Sequence, residues 1–358
     1  MDPAKRGGQL LRTDRSPRPL TAVCSALLAI LATSAAGLAG AQSSASVPVS
    51  SDNATLEVPA WLFPINTPTP APAAAPTSPA AEKVLLTVPN SRARFTRAQL
   101  GDLFSTPDWQ PESHPPMPAV VAHGRRTGVY ACGYCHLPDG RGRPENATLA
   151  GLPAGYIVQQ VKDMAHHVRR SASAYLPSQL MFQVAEQAFD VDLAEAAAYF
   201  SARPLRRARS TVIESAEVPK THMEAWLYAA TPGGGTEALG HRIIEMPRDL
   251  QRHERRDPTV EYVAYVPPGS LARGRELATS GGVGRTLPCA SCHGIGLRGV
   301  GVAPPIAGRS PTYLLRQLLA FRTGARDTEI GRPMQIVAAQ LDLDDMIAVA
   351  AFAGSRVP

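Results

Sequence analysis

Apolar residues recur at intervals of three to four positions in several stretches of this chain, which is the spacing of an amphipathic helix. Asp342, three residues before Asp345, is the expected N-cap of one stretch, and Pro311 marks the start of another. The pattern predicts helices in four segments: FDVDLAEAAAYFSARP (189–204), SLARGRELATSGG (270–282), PTYLLRQLLAFRTG (311–324) and LDLDDMIAVAAFAG (341–354). We therefore expect a mostly α-helical protein.

The pattern changes in residues 205–268, where β-branched and apolar residues alternate with polar ones. This alternation predicts strands in VIESAEV (212–218), HRIIEMP (241–247) and VEYVAYVP (260–267). The charged stretch RDLQRHERRD (248–257) is expected to be a solvated loop. A partly β insertion thus separates the helical segments into two groups.

The two groups are copies of one another. A shift of 157 residues, reduced to 153 after a small gap, aligns Cys132 with Cys289, Cys135 with Cys292, His136 with His293, Tyr156 with Tyr313, Gln160 with Gln317, Arg169 with Arg326, Met181 with Met334 and Tyr199 with Phe352. The match extends over about seventy residues. It predicts one domain present twice, in residues 91–204 (copy one) and 269–358 (copy two).

Copy one departs from copy two before its cysteines. PESHPPMPAVVAHGRRTGVY (111–130) is too rich in proline to match the 270–282 helix. TRAQLGDLF (96–104), with Thr96 as N-cap, is the expected replacement from further upstream.

Residues 1–41 are typical of a secretory signal, because basic residues precede an apolar run that ends in the A-G-A site at 39–41. We expect export to the periplasm with cleavage before Gln42, and only indirect membrane association; an uncleaved membrane anchor is the alternative. Residues 42–90 have the composition of a Pro/Ala-rich linker. Within them the apolar island VPAWLFP (58–64) is expected to dock on this chain or on a partner.

The formal net charge is +6, and residues 1–41 hold five Lys/Arg and two Asp, so the charge falls to +3 without them. The remaining arginines are dispersed among Asp and Glu, whereas a nucleic-acid-binding protein concentrates basic residues in a patch. We therefore expect no nucleic acid partner.

The chain has five cysteines, and Cys24 lies in the predicted signal. The other four form two C-x-x-C-H motifs, the attachment pattern of haem c, in which two thiols add to the porphyrin vinyl groups and the His ligates iron. A zinc site would place its second Cys pair within about twenty residues, and a redox pair would lie in a βαβ context. A structural disulfide does not account for the repeated His. We predict two covalently bound haem c groups, one on Cys132, Cys135 and His136, the other on Cys289, Cys292 and His293.

The sixth iron ligand of such a haem is Met or His. Met181 and Met334 lie 49 and 45 residues after the first cysteine of their motifs. Because the two positions match in the repeat, we predict Met181 and Met334 as the partners of His136 and His293.

Three residues are rivals of Met181 in copy one. Met164 matches Phe321 of copy two and is therefore expected in the core. His166 and His167 are rivals of a different kind, since ligation by either would give a haem with two His ligands.

Other side chains and backbone groups are expected near the haems. A carbonyl around Pro304 of copy two, and around Ala147 of copy one, is expected to accept a hydrogen bond from the ligating His. Four residues either reach haem propionates or have packing roles: Tyr156, Tyr313, Arg169 and Arg326.

With these motifs the sequence resembles the two-domain, dihaem class I cytochromes c of the c-four kind, over about 130–203 and 269–357. The resemblance rests on CGYCH and CASCH, on the two Y-x-x-x-Q helices and on the matched methionines. It implies a periplasmic electron carrier rather than an enzyme, which passes single electrons from a dehydrogenase or quinol-oxidising complex to an oxidase or reductase. Two further functions stay open, a cytochrome subunit of a periplasmic dehydrogenase and a dihaem peroxidase.

Overall fold

A computed structural model describes residues 57–64, 83–126 and 128–358; the predicted signal and most of the predicted linker lie outside the described residues. The α-helices are α1 (Arg97–Gly101), α2 (Ala119–Ala122), α3 (Cys132–His136), α4 (Ala154–Ala165), α5 (Leu176–Gln187), α6 (Asp190–Ser201), α7 (Leu250–Glu254), α8 (Ser270–Gly284), α9 (Cys289–His293), α10 (Pro311–Arg322), α11 (Arg332–Ala339) and α12 (Leu343–Ser355). The strands are β1 (Ser210–Glu214), β2 (Glu217–Pro219), β3 (Thr221–Glu224), β4 (Leu227–Ala230), β5 (Thr236–Ala238), β6 (Ile244–Pro247) and β7 (Tyr262–Val266). None of the helices in the described ranges is long and apolar enough to cross a membrane.

Copy two is built on the contact between α8 and α12. Gly274 of α8 approaches the α12 backbone so closely that a Cβ there would lie 2.0 Å from the carbonyl oxygen of Ala348. The buried face of α12 is almost its whole length. Asp342 and Asp345 form the predicted capping box at its start, which confirms the sequence prediction for this helix.

In copy one, α4, α5 and α6 are the counterparts of α10, α11 and α12. The place of α8 is taken by α2, a single turn within the proline-rich stretch, whose Val120 and Val121 belong to the same core cluster as α6. The prediction that 96–104 replaces the missing helix is wrong. Helix α1 does begin at the predicted Thr96 cap, but Leu100 packs in a separate cluster around Trp109.

The insertion contains a three-stranded sheet with the order β1-β7-β6, in which β1 is parallel and β6 antiparallel to β7. Two small antiparallel ribbons, β2 with β5 and β3 with β4, complete it. The predicted strands are confirmed, although 212–218 divides between β1 and β2. The fold is therefore mostly α, with a partly β insertion between the two copies.

The prediction of a solvated loop at 248–257 is wrong. The stretch contains α7, whose start is capped by the Asp249 carboxylate accepting a hydrogen bond from the Arg252 backbone nitrogen at 3.0 Å. His253, Arg256 and Asp257 are buried. Their polar groups find partners in the protein instead of water, so high charge alone did not indicate exposure.

The apolar island at 58–64 docks on this chain. Leu62 and Phe63 are buried in the core cluster that also contains residues of copy two and of the insertion. The Tyr228 hydroxyl donates to the carbonyl oxygen of Trp61 at 3.0 Å. The island thus joins the insertion to copy two.

Candidate functional site

The cysteine motif of copy one forms the short helix α3, which ends at the buried His136. The Nδ1 atom of His136 lies 2.8 Å from the carbonyl oxygen of Ala147. Because Nδ1 donates its proton to that carbonyl, Nε2 carries the lone pair that can ligate a metal. Burial lowers the pKa of His136, which favours this neutral ring.

Copy two repeats the arrangement. His293 at the end of α9 is buried, and its Nδ1 lies 2.8 Å from the carbonyl oxygen of Pro304. Burial lowers its pKa as well. The predicted hydrogen bond from each ligating His to a backbone carbonyl is therefore confirmed in both copies, including copy one, where Ala147 stands in place of proline.

The four motif cysteines, all in the described chain, are free thiols in the structure. Burial raises the pKa of Cys132 to about 12 and that of Cys289 to about 11, and it also raises the pKa of Cys135. Redox-active C-x-x-C pairs have the opposite property, a lowered thiol pKa that supplies the thiolate. The thiol environment favours haem attachment over redox chemistry.

A cavity of about 210 Å³ opens beside the copy-one motif. The predicted ligand groups of copy one meet there, since Cys132, Cys135, His136 and Met181 all line it. Met164 lines it too, and so lies nearer the site than its predicted place in the core implied. By contrast, His166 and His167 are exposed.

Buried charged groups also border this cavity. Arg143 Nη2 and Glu145 Oε1 are 2.8 Å apart, and both side chains are buried. In the described chain, the Nε atoms of Arg143 and Arg256 are buried without a hydrogen-bond partner. Because unpaired buried donors are costly, a cavity with thiols, an imidazole, a thioether and unpaired cations fits a large, apolar, anionic group such as haem c.

In copy two the predicted ligands also converge. Cys289 and Met334 pack as partly buried residues against the same core cluster. The Cys292 side chain is exposed, in contrast to Cys135. The two motifs are thus alike in their His geometry and differ in their access to solvent.

The two copies meet through repeated residues that exchange partners. The Arg169 guanidinium of copy one donates to Tyr313 Oη and to Gln317 Oε1, both at 3.1 Å. In return, Arg326 of copy two donates to Tyr156 Oη at 3.0 Å and to Gln160 Oε1. This reciprocity is the property of a two-fold interface.

The sequence revealed both halves of this arrangement but not their crossing. Tyr156, Gln160, Arg169, Tyr313 and Gln317 also line the cavity, so the layer lies between the copy-one site and copy two. The signal was present in the repeat: matched polar residues on apolar helices have to find partners, and a second copy supplies them.

The insertion contributes residues that sequence analysis missed. The Arg256 guanidinium lies 3.4 Å from the ring centroid of Tyr134, the residue between the copy-one cysteines, and donates to its carbonyl oxygen at 2.9 Å. Arg143 Nη1 lies 3.4 Å from the carbonyl oxygen of His253. Burial, followed by the charge of Arg143, lowers the pKa of His253 to about 3. The composition of 248–257 gave no sign of this packing.

Sequence comparisons locate the chain among known proteins. The cytochrome c family model matches residues 271–355. Cytochrome c4 of Pseudomonas aeruginosa is 24% identical over 230 residues, which is 62% of this chain and 81% of that protein. The thiosulfate dehydrogenase electron acceptor of Stutzerimonas stutzeri is 40% identical over 81 residues; this match spans 22% of this chain and only 38% of that protein.

Solved structures give partial matches. Thiosulfate dehydrogenase (TsdBA) from Marichromatium purpuratum is 29% identical, with a TM-score of 0.45 over 66% of this chain and 39% of that chain. Cytochrome c4 of Acidithiobacillus ferrooxidans is 20% identical, with a TM-score of 0.42 over 63% of this chain and 98% of that chain.

The family match covers the C-x-x-C-H motif, the ligating His and the paired Met of copy two. The cytochrome c4 match extends over more than half of the chain. The chain therefore belongs to the class I cytochrome c family, as a tandem-domain electron-transfer protein with covalently bound haem c.

Proposed function

We propose that this protein is a periplasmic dihaem electron carrier. Cys132 and Cys135 would hold one haem c, and Cys289 and Cys292 the other. The observation that carries the proposal is the repeated histidine geometry, in which each motif His donates through Nδ1 to a backbone carbonyl at 2.8 Å and keeps Nε2 for iron. The family resemblance agrees with it.

The axial pairs are proposed as His136 with Met181 and His293 with Met334. When bound, haem c supplies an iron that alternates between the ferric and ferrous states. The task of the protein groups is to keep the same ligands on the iron in both states, which limits reorganisation. The carbonyls of Ala147 and Pro304 fix the ring orientations. Met181 is preferred to Met164 because only Met181 has a methionine at the matched position of copy two.

Electrons would pass between the copies across the interface described above. Tyr156, Gln160 and Arg326 on one side face the equivalent residues on the other, so a single layer of side chains separates the two halves. Two saturated irons suit transfer and leave no open position for a substrate.

The electron donor is proposed to be a periplasmic dehydrogenase. The support is the 40% identity to a protein named as the electron acceptor of thiosulfate dehydrogenase. A thiosulfate-oxidising enzyme is accordingly the first donor to test, and a cytochrome subunit of such an enzyme is the second form of the same proposal.

The test is haem stoichiometry in the purified protein produced with a haem c attachment system. We expect two haems per chain, retained after denaturation and acid–acetone extraction, and no free thiol among the four motif cysteines. Cys132→Ala/Cys135→Ala and Cys289→Ala/Cys292→Ala form a matched pair, and each should leave one haem. A ratio near one in the wild-type protein, or haem lost on extraction, would refute the proposal.

A further inference from the structure

The surface around the two cysteine motifs differs between the copies, although the motifs are repeats. In copy two, the loops that flank α9 expose large apolar side chains. The most exposed are Ile295 at 96%, Val283 at 92% and Val302 at 73%, and Val300 and Leu287 are 63% and 57% exposed. Soluble proteins seldom leave such groups in water around a functional residue without a partner.

The matched positions of copy one are covered. Ile295, Val300 and Val302 align with Pro138, Arg143 and Glu145, and these three residues are buried.

The cover is the insertion. Arg256 stacks on Tyr134 within the copy-one motif, whereas the matched Ser291 of copy two is exposed. His253 Nε2 lies 3.8 Å from Glu145 Oε1, and the Arg209 guanidinium donates to the carbonyl oxygen of Gly142. The chain itself therefore occupies in copy one the surface that copy two leaves open.

The charge of the open face indicates what binds there. Residues 277–326 contain six arginines and no Asp or Glu. Arg298 lies in the exposed loop among the apolar residues, and its Nε is 3.5 Å from the carbonyl oxygen of Val357. An apolar centre with a cationic neighbourhood is complementary to a partner surface with an apolar centre and acidic residues at its rim.

We propose that the face formed by Val283, Leu287, Ile295, Val300 and Val302 is where a one-electron carrier protein with an acidic rim docks, and that the insertion closes the equivalent face of copy one. The proposal rests on the proposed function. Electrons then enter and leave the molecule through copy two. In the encounter the partner loses one electron and a ferric haem of this protein gains it, or the reverse, with no bond made or broken.

The test uses flavodoxin hydroquinone, an acidic one-electron donor protein, as the probe, and stopped-flow reduction of the ferric dihaem protein as the readout. Ile295→Asp and Arg298→Glu change the open face. Val191→Asp and Arg248→Glu make the same charge changes at exposed positions on α6 and on the insertion. Because each control matches its test variant in net charge, a difference between them reports location.

We expect Ile295→Asp and Arg298→Glu each to slow the bimolecular reduction about tenfold at low salt, and the controls to stay within about twofold of the wild type. Raising the salt concentration should slow the wild type and have less effect on Arg298→Glu. Equal slowing by test and control variants, no slowing by any variant, or no reaction with the wild type would overturn the proposal. Haem content and the resting spectrum, measured on the same samples, report separately on the proposed function.

Discussion

Replacing Arg326 with Met removes one side of the interface between the copies. The guanidinium, 7% exposed, donates to Tyr156 Oη at 3.0 Å, to Gln317 Oε1 at 3.3 Å and to Gln160 Oε1. A hydrogen bond to a charged group contributes about 1.5–3 kcal/mol, and each acceptor left buried without a donor costs about 1–3 kcal/mol. Release of a buried guanidinium from its desolvation offsets part of the loss, since burial lowers the pKa of Arg326. We expect a net loss of about 2–4 kcal/mol in the free energy of unfolding.

Arg169→Met is the matched variant on the other copy. It removes two donated hydrogen bonds rather than three, so we expect a smaller loss. The double variant should lose more than the sum of the two, for two reasons. Gln317 accepts from both arginines and becomes unpaired only when both are gone, and the repulsion between the two cations is relieved by the first substitution alone.

The assay is urea unfolding of the ferric holoprotein, followed by far-ultraviolet circular dichroism, with the midpoint and slope fitted separately. A change in midpoint at constant slope reports stability. Losses below about 0.5 kcal/mol for Arg326→Met, or a double variant less destabilised than the sum, would refute the account of this interface.

Three further predictions concern the irons and the insertion. Met334→His should lower the midpoint potential of the second haem and leave the first little changed, because thioether ligation favours the reduced state; redox titration measures this. Met181→His should do the converse, whereas a Met181→Ala protein with the wild-type spectrum and both potentials intact would assign the first iron to Met164, His166 or His167. His253 has its pKa lowered to about 3 against an ordinary value of 6.5, so the unfolded chain binds its proton first and stability should fall between about pH 6.5 and 3, by up to about 1.4 kcal/mol per pH unit; His253→Gln should remove this part of the acid sensitivity, and unfolding midpoints at several pH values that fall equally in both proteins would count against it.

The helices and the chemistry of the site followed from local patterns. The capping box at Asp342, the C-x-x-C-H motifs and the methionine repeat are short-range signals that the structure places as expected. What the sequence did not reveal depends on long-range packing. The burial of His253 and Arg256 comes from contact with copy one, and α2 occupies the place of a missing helix because its two valines fit beside α6. No local propensity encodes either contact.

The island at 58–64 has a consequence for the order of folding. The Arg316 guanidinium donates to the carbonyl oxygen of Leu62, 254 residues away in sequence. Residues that leave the export channel among the first are therefore completed in their packing only when α10, among the last, arrives. Such contacts are slow to form because loop closure is costly before they are gained. The core shared by the island, the insertion and copy two can close only after nearly the whole chain has been translocated, so during export the copy-one motif is exposed to the haem attachment machinery before the molecule can be finished.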